Sequence, residues 1–369
     1  MTNKIDTILA QGGNGTDDTK TGAVVSPLYF STAYRHPGLG ESTGFDYARL
    51  NTPTRQILEE QLAVLEHGVQ AFATSSGMSA IDLVFSTVLE TGDHFLTSDD
   101  LYGGTYRYFD GLVTQRGVSY DACSNLDDFL EKIQPKTKLV WLETPSNPMM
   151  KLFDIQQISE VLKAKSPNII IAVDNTFLTP IFQQPLKLGA DIVVHSATKY
   201  LGGHNDILAG TAIAGDDELA ARLEKALVTS GQVLDSFSSW LLLRSLKTLH
   251  LRMTRHNENG HYLAEKLGDV SGVSHLNYAG VGGMISFYLE DDYDVDAFLK
   301  GLHIASFAES LGGPETLITI PAVQTHHDMS QEQRLALGIT DQLIRVSAGL
   351  EDKEDLLHDL TQAIGGAKK

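Results

Sequence analysis

Between residues 71 and 194 short apolar runs alternate with amphipathic stretches, and this rhythm narrows the possible folds more than any other feature of the 369-residue chain. Residues 71–75, 95–97, 138–142, 169–173 and 192–194 read as strands, with helices predicted over 81–89, 106–112 and 155–163. A βαβα order of this kind calls for an α/β fold, a mostly parallel sheet with helices on both faces. Ligands of such sheets bind outside the carboxyl ends of the strands. Gly77, Asn147, Asp174 and Lys199 all fall at such ends. Four chemically distinctive residues at four strand ends point to one site.

The flanking regions read differently. Residues 1–50 are punctuated by Gly12, Gly13, Gly15, Pro27, Pro37, Gly38 and Gly40, and hold too few apolar residues for a core. A segment of that length is a tail or an arm lying on a partner. Thr52 and Pro53 then form an N-cap and first-turn pair, Leu58, Leu62 and Leu65 follow at helical spacing, and Gly68 is the stop. From about residue 237 the rhythm changes. A long helix is predicted over 240–267, then strands at 284–289, 317–320 and 344–347 and helices over 295–302 and 353–364, a smaller α+β domain. The expected division is an arm over 1–50, a large domain over 51–236 and a small domain over 237–369.

Composition excludes some functions. With 28 basic and 47 acidic residues the net charge is -19, which argues against binding a phosphate backbone and hence nucleic acid. Cys123 is the single cysteine, so there is no intrachain disulfide and no multi-cysteine metal site, and the expectation is no metal. The first residues lack an apolar stretch of signal-peptide length, and no apolar run approaches the roughly 18 to 20 residues of a membrane span. A cytoplasmic location and no membrane association are the expectation.

The stretch around Lys199 carries the chemistry. A lysine straight after the buried run Ile192, Val193, Val194 is costly unless solvated, paired or used covalently. Lysine amines in such places form Schiff bases with carbonyls. Ser196 and Thr198, three and one residues earlier, can hold a phosphate. Gly77 and Met78 open a helix after a strand and a tight turn, where backbone N–H groups and the helix dipole favour an anion. A carbonyl beside a phosphate is the outline of pyridoxal phosphate, which also needs a carboxylate at its pyridinium nitrogen. Asp174 can supply that, though a turn cap is the commoner role for an Asp there. Tyr102, in Leu101-Tyr102-Gly103-Gly104-Thr105, can stack on the ring or be an ordinary half-buried tyrosine.

Taken together, the motifs resemble the Cys/Met-metabolism family of pyridoxal-phosphate enzymes, which have the fold-type I, aspartate-aminotransferase-like fold. The matching pieces include Tyr47-Ala48-Arg49, Ser76-Gly77-Met78-Ser79-Ala80, Tyr102-Gly103-Gly104-Thr105, Ser146-Asn147-Pro148, Val173-Asp174-Asn175-Thr176-Phe177 and His195-Ser196-Ala197-Thr198-Lys199-Tyr200. Glu309-Ser310-Leu311-Gly312-Gly313 and Arg345-Val346-Ser347-Ala348-Gly349 complete a collinear set over nearly the whole chain. The resemblance implies that Lys199 forms the Schiff base and moves protons, with Tyr102 stacking and assisting. It places Gly77, Met78, Ser196 and Thr198 on the phosphate, and Tyr47 and Arg49 on the phosphate of a neighbouring subunit. It places Arg345, Asn147, Ser310 and Glu309 on the substrate side, with Arg345 clamping the α-carboxylate. A homodimer with shared sites, paired again into a tetramer, is implied as well. His195 and His204 are read as structural.

Two departures stand out: Thr52-Pro53-Thr54 replaces the usual Asn-Pro-Thr, and the link before Met284 is short. The short link and Ser31-Thr32-Ala33-Tyr34-Arg35-His36-Pro37 look most like the cystathionine γ-synthase/O-acetylhomoserine thiolyase branch. In that branch Lys199 would remove the α-proton and then the β-proton of an O-acylhomoserine. The acyl group leaves and a thiol, from cysteine or sulfide, adds at Cγ. Cystathionine γ-lyase is the alternative, and methionine γ-lyase or cystathionine β-lyase come after it.

Overall fold

The computed structural model describes residues 3–13 and 21–369 and divides into two compact units. The first gathers the described residues up to Glu90 with Ile155–Gly202 and Asp206–His250. Its strands lie in the spatial order Gln70–Thr74, Gly210–Ala214, Ile192–His195, Ile170–Asp174. The last pair is parallel, with Asp174 opposite Val194, while Gly210–Ala214 runs antiparallel to both of its neighbours. Helix Pro53–Glu66 starts as its sequence predicts: the Thr52 hydroxyl accepts from the Arg55 N–H at 3.2 Å. It buries Leu58, Leu62 and Leu65 and ends at His67, held at φ 62°. In the N-terminal segment Ile5–Gln11 is helical, with Leu9 buried.

The second unit comprises Thr91–Asp154, Gly203–Asn205 and Leu251–Lys369. Strand His94–Ser98 runs parallel to both Ser119–Cys123 and Thr137–Glu143. A further sheet has the order Ser306–Phe307, Leu317–Thr319, Leu343–Ser347, Met284–Leu289, Val273–Tyr278, and is antiparallel apart from its first pair. Helices Val295–Gly301 and Lys353–Gly366 cover it through Phe298, Leu356, Leu360 and Ile364, which pack on Ile285, Phe287, Ile344 and Val346. The helix expected over 240–267 is two, Ser236–Leu246 and Leu249–Leu267. At the break the Lys247 and Thr248 amides make tight three-residue bonds to Arg244 and Ser245, and the Thr248 hydroxyl donates to the Ser245 carbonyl as well. Such local side-chain bonding competes with helix continuation.

Among the described residues no helix is long and apolar enough to cross a membrane. Burial pushes the Cys123 thiol up to about 12, so it is an inert thiol.

Candidate active site

The first unit assembles a phosphate cup, a lysine and a carboxylate. Strand Gln70–Thr74 turns through Ser75 and Ser76 into helix Gly77–Val88, whose N-terminus is capped by the Ser76 hydroxyl accepting from the Ser79 N–H at 3.1 Å. Gly77 is required there by close approach. A Cβ on it would lie 2.7 Å from Ser196 Cβ and 2.8 Å from Ser196 Oγ. The absence of that Cβ brings the Ser196 hydroxyl against the helix N-terminus, where partial positive charge gathers. Met78, the next residue of this first turn, is half-buried.

Ser196 to Lys199 form the turn after strand Ile192–His195. The Ser196 N–H donates to Thr176 Oγ1 at 2.8 Å, and the Lys199 N–H donates to the Ser196 carbonyl at 3.1 Å. Thr198 Oγ1 both donates to the Ala209 carbonyl, at 3.1 Å, and accepts from the Ala209 N–H, at 3.0 Å. Lys199 is half-buried. Asp174 ends the adjacent strand, and its Oδ1 accepts from the Thr176 N–H at 2.9 Å. Burial holds its carboxyl above the usual range, against the pull of the Thr176 bonds and of His195. A carboxylate desolvated in this way gains from a cationic partner. This set fits pyridoxal phosphate: an anion cradle that a Cβ would fill, two hydroxyls, a lysine and a carboxylate short of positive charge.

Tyr47 and Arg49 stand apart from the cup in their bonding. Tyr47 is exposed, the Arg49 guanidinium lies 5.8 Å from its ring centroid, and Arg49 donates to the Val228 carbonyl. The segment that carries them is anchored by buried Arg55, which donates to the carbonyls of Ala48 at 2.9 Å and Leu50 at 2.7 Å.

In the second unit Arg345 sits in the middle of strand Leu343–Ser347 with 2% of its surface exposed. Its Nη1 donates to Asn147 Oδ1 at 3.1 Å, and its Nη2 to the Ser310 carbonyl at 3.1 Å and to Thr319 Oγ1 at 3.0 Å. Arg345, Asn147 and Ser310 are therefore brought together, and Thr319, which no motif singled out, joins them. Each of these three partners is a neutral oxygen. Ser310 has φ 149°, a conformation costly outside glycine and concentrated at functional sites. Glu309 is exposed beside it.

The Asn147 turn rests on a buried carboxylate. Asp100 Oδ2 accepts from the Ser146 hydroxyl and from the Met149 N–H at 3.0 Å, and burial pushes its carboxyl up to about 6. Tyr102 caps helix Gly103–Arg116 with 39% of its surface exposed. Its N–H donates to Glu143 Oε2 at 2.7 Å, while the Thr105 hydroxyl donates to Glu143 Oε1 at 2.7 Å. Glu143 is a positioning residue that the sequence reading gave no role. Its one mark in the sequence, a carboxylate ending a buried strand, does not tell which residue it holds. Among the described residues no cluster of three or more His, Cys, Asp or Glu is placed to hold a metal ion.

A family model described as "Cys/Met metabolism PLP-dependent enzyme" matches residues 6–365. The chain is 48% identical to "Cystathionine gamma-synthase/O-acetylhomoserine (thiol)-lyase" of Bacillus subtilis, covering 100% of this chain and 98% of that protein. It is also 48% identical to "Cystathionine gamma-synthase" of Haemophilus influenzae, covering 99% and 98%. A solved structure of cystathionine gamma-lyase from Lactobacillus plantarum complexed with L-serine superposes with a TM-score of 0.95 at 37% identity, covering 99% of both chains.

Proposed function

This chain belongs to the Cys/Met metabolism PLP-dependent enzyme family, with fold type I and pyridoxal phosphate as cofactor, and from that membership we propose that it catalyses γ-replacement on an O-acylhomoserine. The attacking thiol is cysteine, giving cystathionine, or sulfide, giving homocysteine. The observation that carries the amino-acid substrate is Arg345, a buried guanidinium held in place by the oxygens of Asn147, Ser310 and Thr319. Such a group suits the α-carboxylate of an amino acid. The two synthases at 48% identity support the direction of the reaction.

In this reading Lys199 Nζ would hold the cofactor through its carbonyl and would take the α-proton and then the β-proton of the substrate. When bound, pyridoxal phosphate withdraws electrons from the substrate α-carbon and eases these removals. Asp174 keeps the ring nitrogen protonated. Gly77, Met78, Ser196 and Thr198 hold the phosphate. Tyr102 stacks on the ring and assists proton transfer, and Glu143 fixes the Tyr102 backbone. Asn147, Ser310 and Glu309 complete the substrate side. Residues 1–50 form an arm through which Tyr47 and Arg49 reach the phosphate of a second copy, in a homodimer that pairs into a tetramer in the cytoplasm.

The test supplies O-acetyl- or O-succinylhomoserine with cysteine or sulfide, and cystathionine alone, with products identified by mass spectrometry. The proposal predicts cystathionine or homocysteine from an acyl substrate faster than 2-oxobutanoate from cystathionine. The reverse order favours the second reading, cystathionine γ-lyase, which has its own support in the solved γ-lyase at TM-score 0.95.

A further inference from the structure

The last residue of helix Pro53–Glu66 puts a carboxylate where a simple core would have an apolar side chain. Glu66 is 1% exposed, and its Oε1 accepts from His195 Nε2 at 2.7 Å and from Asn175 Nδ2 at 2.9 Å. His195 and Asn175 are equally buried, at 1% and 0%. A buried polar bridge of this kind is a weak stabiliser, because desolvation offsets the attraction. Its value lies in geometry. His195 directly precedes Ser196, and Asn175 directly follows Asp174. Asn175 is held further by Gln183, whose carbonyl accepts at 2.9 Å and whose Nε2 donates to Asn175 Oδ1 at 3.0 Å. The two strand ends are also tied through the backbone, by the Asn175 N–H to the Val194 carbonyl at 2.9 Å.

We propose that Glu66 is a positioning residue for the cofactor: one buried carboxylate, bridging His195 and Asn175, sets the spacing between the ring-nitrogen carboxylate of Asp174 and the phosphate hydroxyl of Ser196. The bridge works beside the link made by Thr176, which donates to Asp174 and accepts from the Ser196 N–H. The proposal rests on the assignment of Asp174 and Ser196 to the cofactor.

The experiment titrates apoprotein with pyridoxal phosphate for Glu66→Gln, His195→Leu and His195→Gln, with far-ultraviolet circular dichroism and the melting temperature of the apoprotein recorded alongside. His195→Gln can keep an amide donor toward Glu66, and His195→Leu cannot. The expected result is a loss of cofactor affinity of roughly tenfold or more in Glu66→Gln and His195→Leu, as for partners that orient binding groups elsewhere. Affinity should return in large part in His195→Gln. The pH midpoint of the visible cofactor band should move in the two impaired variants. Affinity within twofold of the parent and an unmoved midpoint, with only the melting temperature lowered, would make Glu66 purely structural. Should Glu66→Gln fail to fold, the contrast between the two His195 variants decides, and equal affinities overturn the proposal. Ser196→Ala and Asp174→Asn are the controls. If neither changes cofactor binding or its spectrum, the site assignment fails first and the proposal falls with it.

Discussion

Replacing Asp100 by Asn should change how the stability of the protein depends on pH. Asp100 is fully buried, and burial pushes its carboxyl up to about 6, although the Ser146 hydroxyl and the Met149 N–H both pull it down. In the unfolded chain an aspartate titrates near ~3.9. The folded state therefore holds this proton more tightly, by about two units at roughly 1.36 kcal/mol each, or about 3 kcal/mol. The contribution is fully present below about pH 4 and is lost as pH rises through about 6. Asn cannot titrate, so the variant lacks that loss. At roughly 2.1 cal/mol/K per residue, about 3 kcal/mol corresponds to about 4 °C in melting temperature for a chain of this length. The assay is the melting temperature of holoenzyme, variant minus parent, from pH 4 to pH 7. The difference should rise by about 4 °C over that range. Any fixed cost of burying the amide is constant with pH and cancels. A flat or falling difference refutes the argument that Asp100 is a desolvated carboxyl.

The remaining predictions concern the site. Arg345→Lys should raise KM for the amino-acid substrate by roughly 30-fold or more, since a charge-assisted paired bond is worth about 2 to 3 kcal/mol; a KM within threefold of the parent would remove Arg345 from the carboxylate. Lys199→Ala should abolish turnover, and borohydride reduction of the parent should tag Lys199 in peptide mapping, a tag on another lysine being the contrary result. Asp174→Asn should cost most of kcat with the fold intact, and near-normal kcat would make it a turn cap. Gly77→Ala should weaken cofactor binding in apoprotein titrations, because the added Cβ meets Ser196 at 2.7 Å; unchanged affinity would place the phosphate elsewhere. Mixing Lys199→Ala with Arg49→Ala chains should restore activity if Arg49 serves the partner, and parental levels after proven subunit exchange would contradict that.

The parts of this protein legible in the sequence are those fixed by local pattern. The strands preceding Asn147, Asp174 and Lys199 announce themselves by apolar runs, and the Thr52 cap and Pro53 announce their helix. Strand Gly210–Ala214 escaped because Gly-Thr-Ala-Ile-Ala has small residues and no alternation, its burial coming from neighbours on both sides. Ser119–Cys123 escaped for the opposite reason, a mostly polar run that pairs along one side. In the site, the glycine at 77 and the hydroxyls before Lys199 were readable because their chemistry is carried by residue type. Glu66, Asp100 and Glu143 were not, since a carboxylate reveals its role only through partners distant in sequence: His195 for Glu66, Ser146 for Asp100, Tyr102 for Glu143. Thr319 is legible only once the ladder places it opposite Arg345.

The most direct test of the proposed reaction is the partition of one substrate in one vessel. Holoenzyme is given O-acetyl- or O-succinylhomoserine with increasing cysteine or, in a parallel series, increasing sulfide, and cystathionine or homocysteine is measured together with 2-oxobutanoate. A γ-replacement enzyme turns the flux to the thiol adduct as the thiol rises, until it far exceeds 2-oxobutanoate for at least one donor and one thiol. If 2-oxobutanoate remains the main product of both donors at every concentration of either thiol, or neither donor is consumed while cystathionine is, the assignment as a γ-replacement enzyme is contradicted.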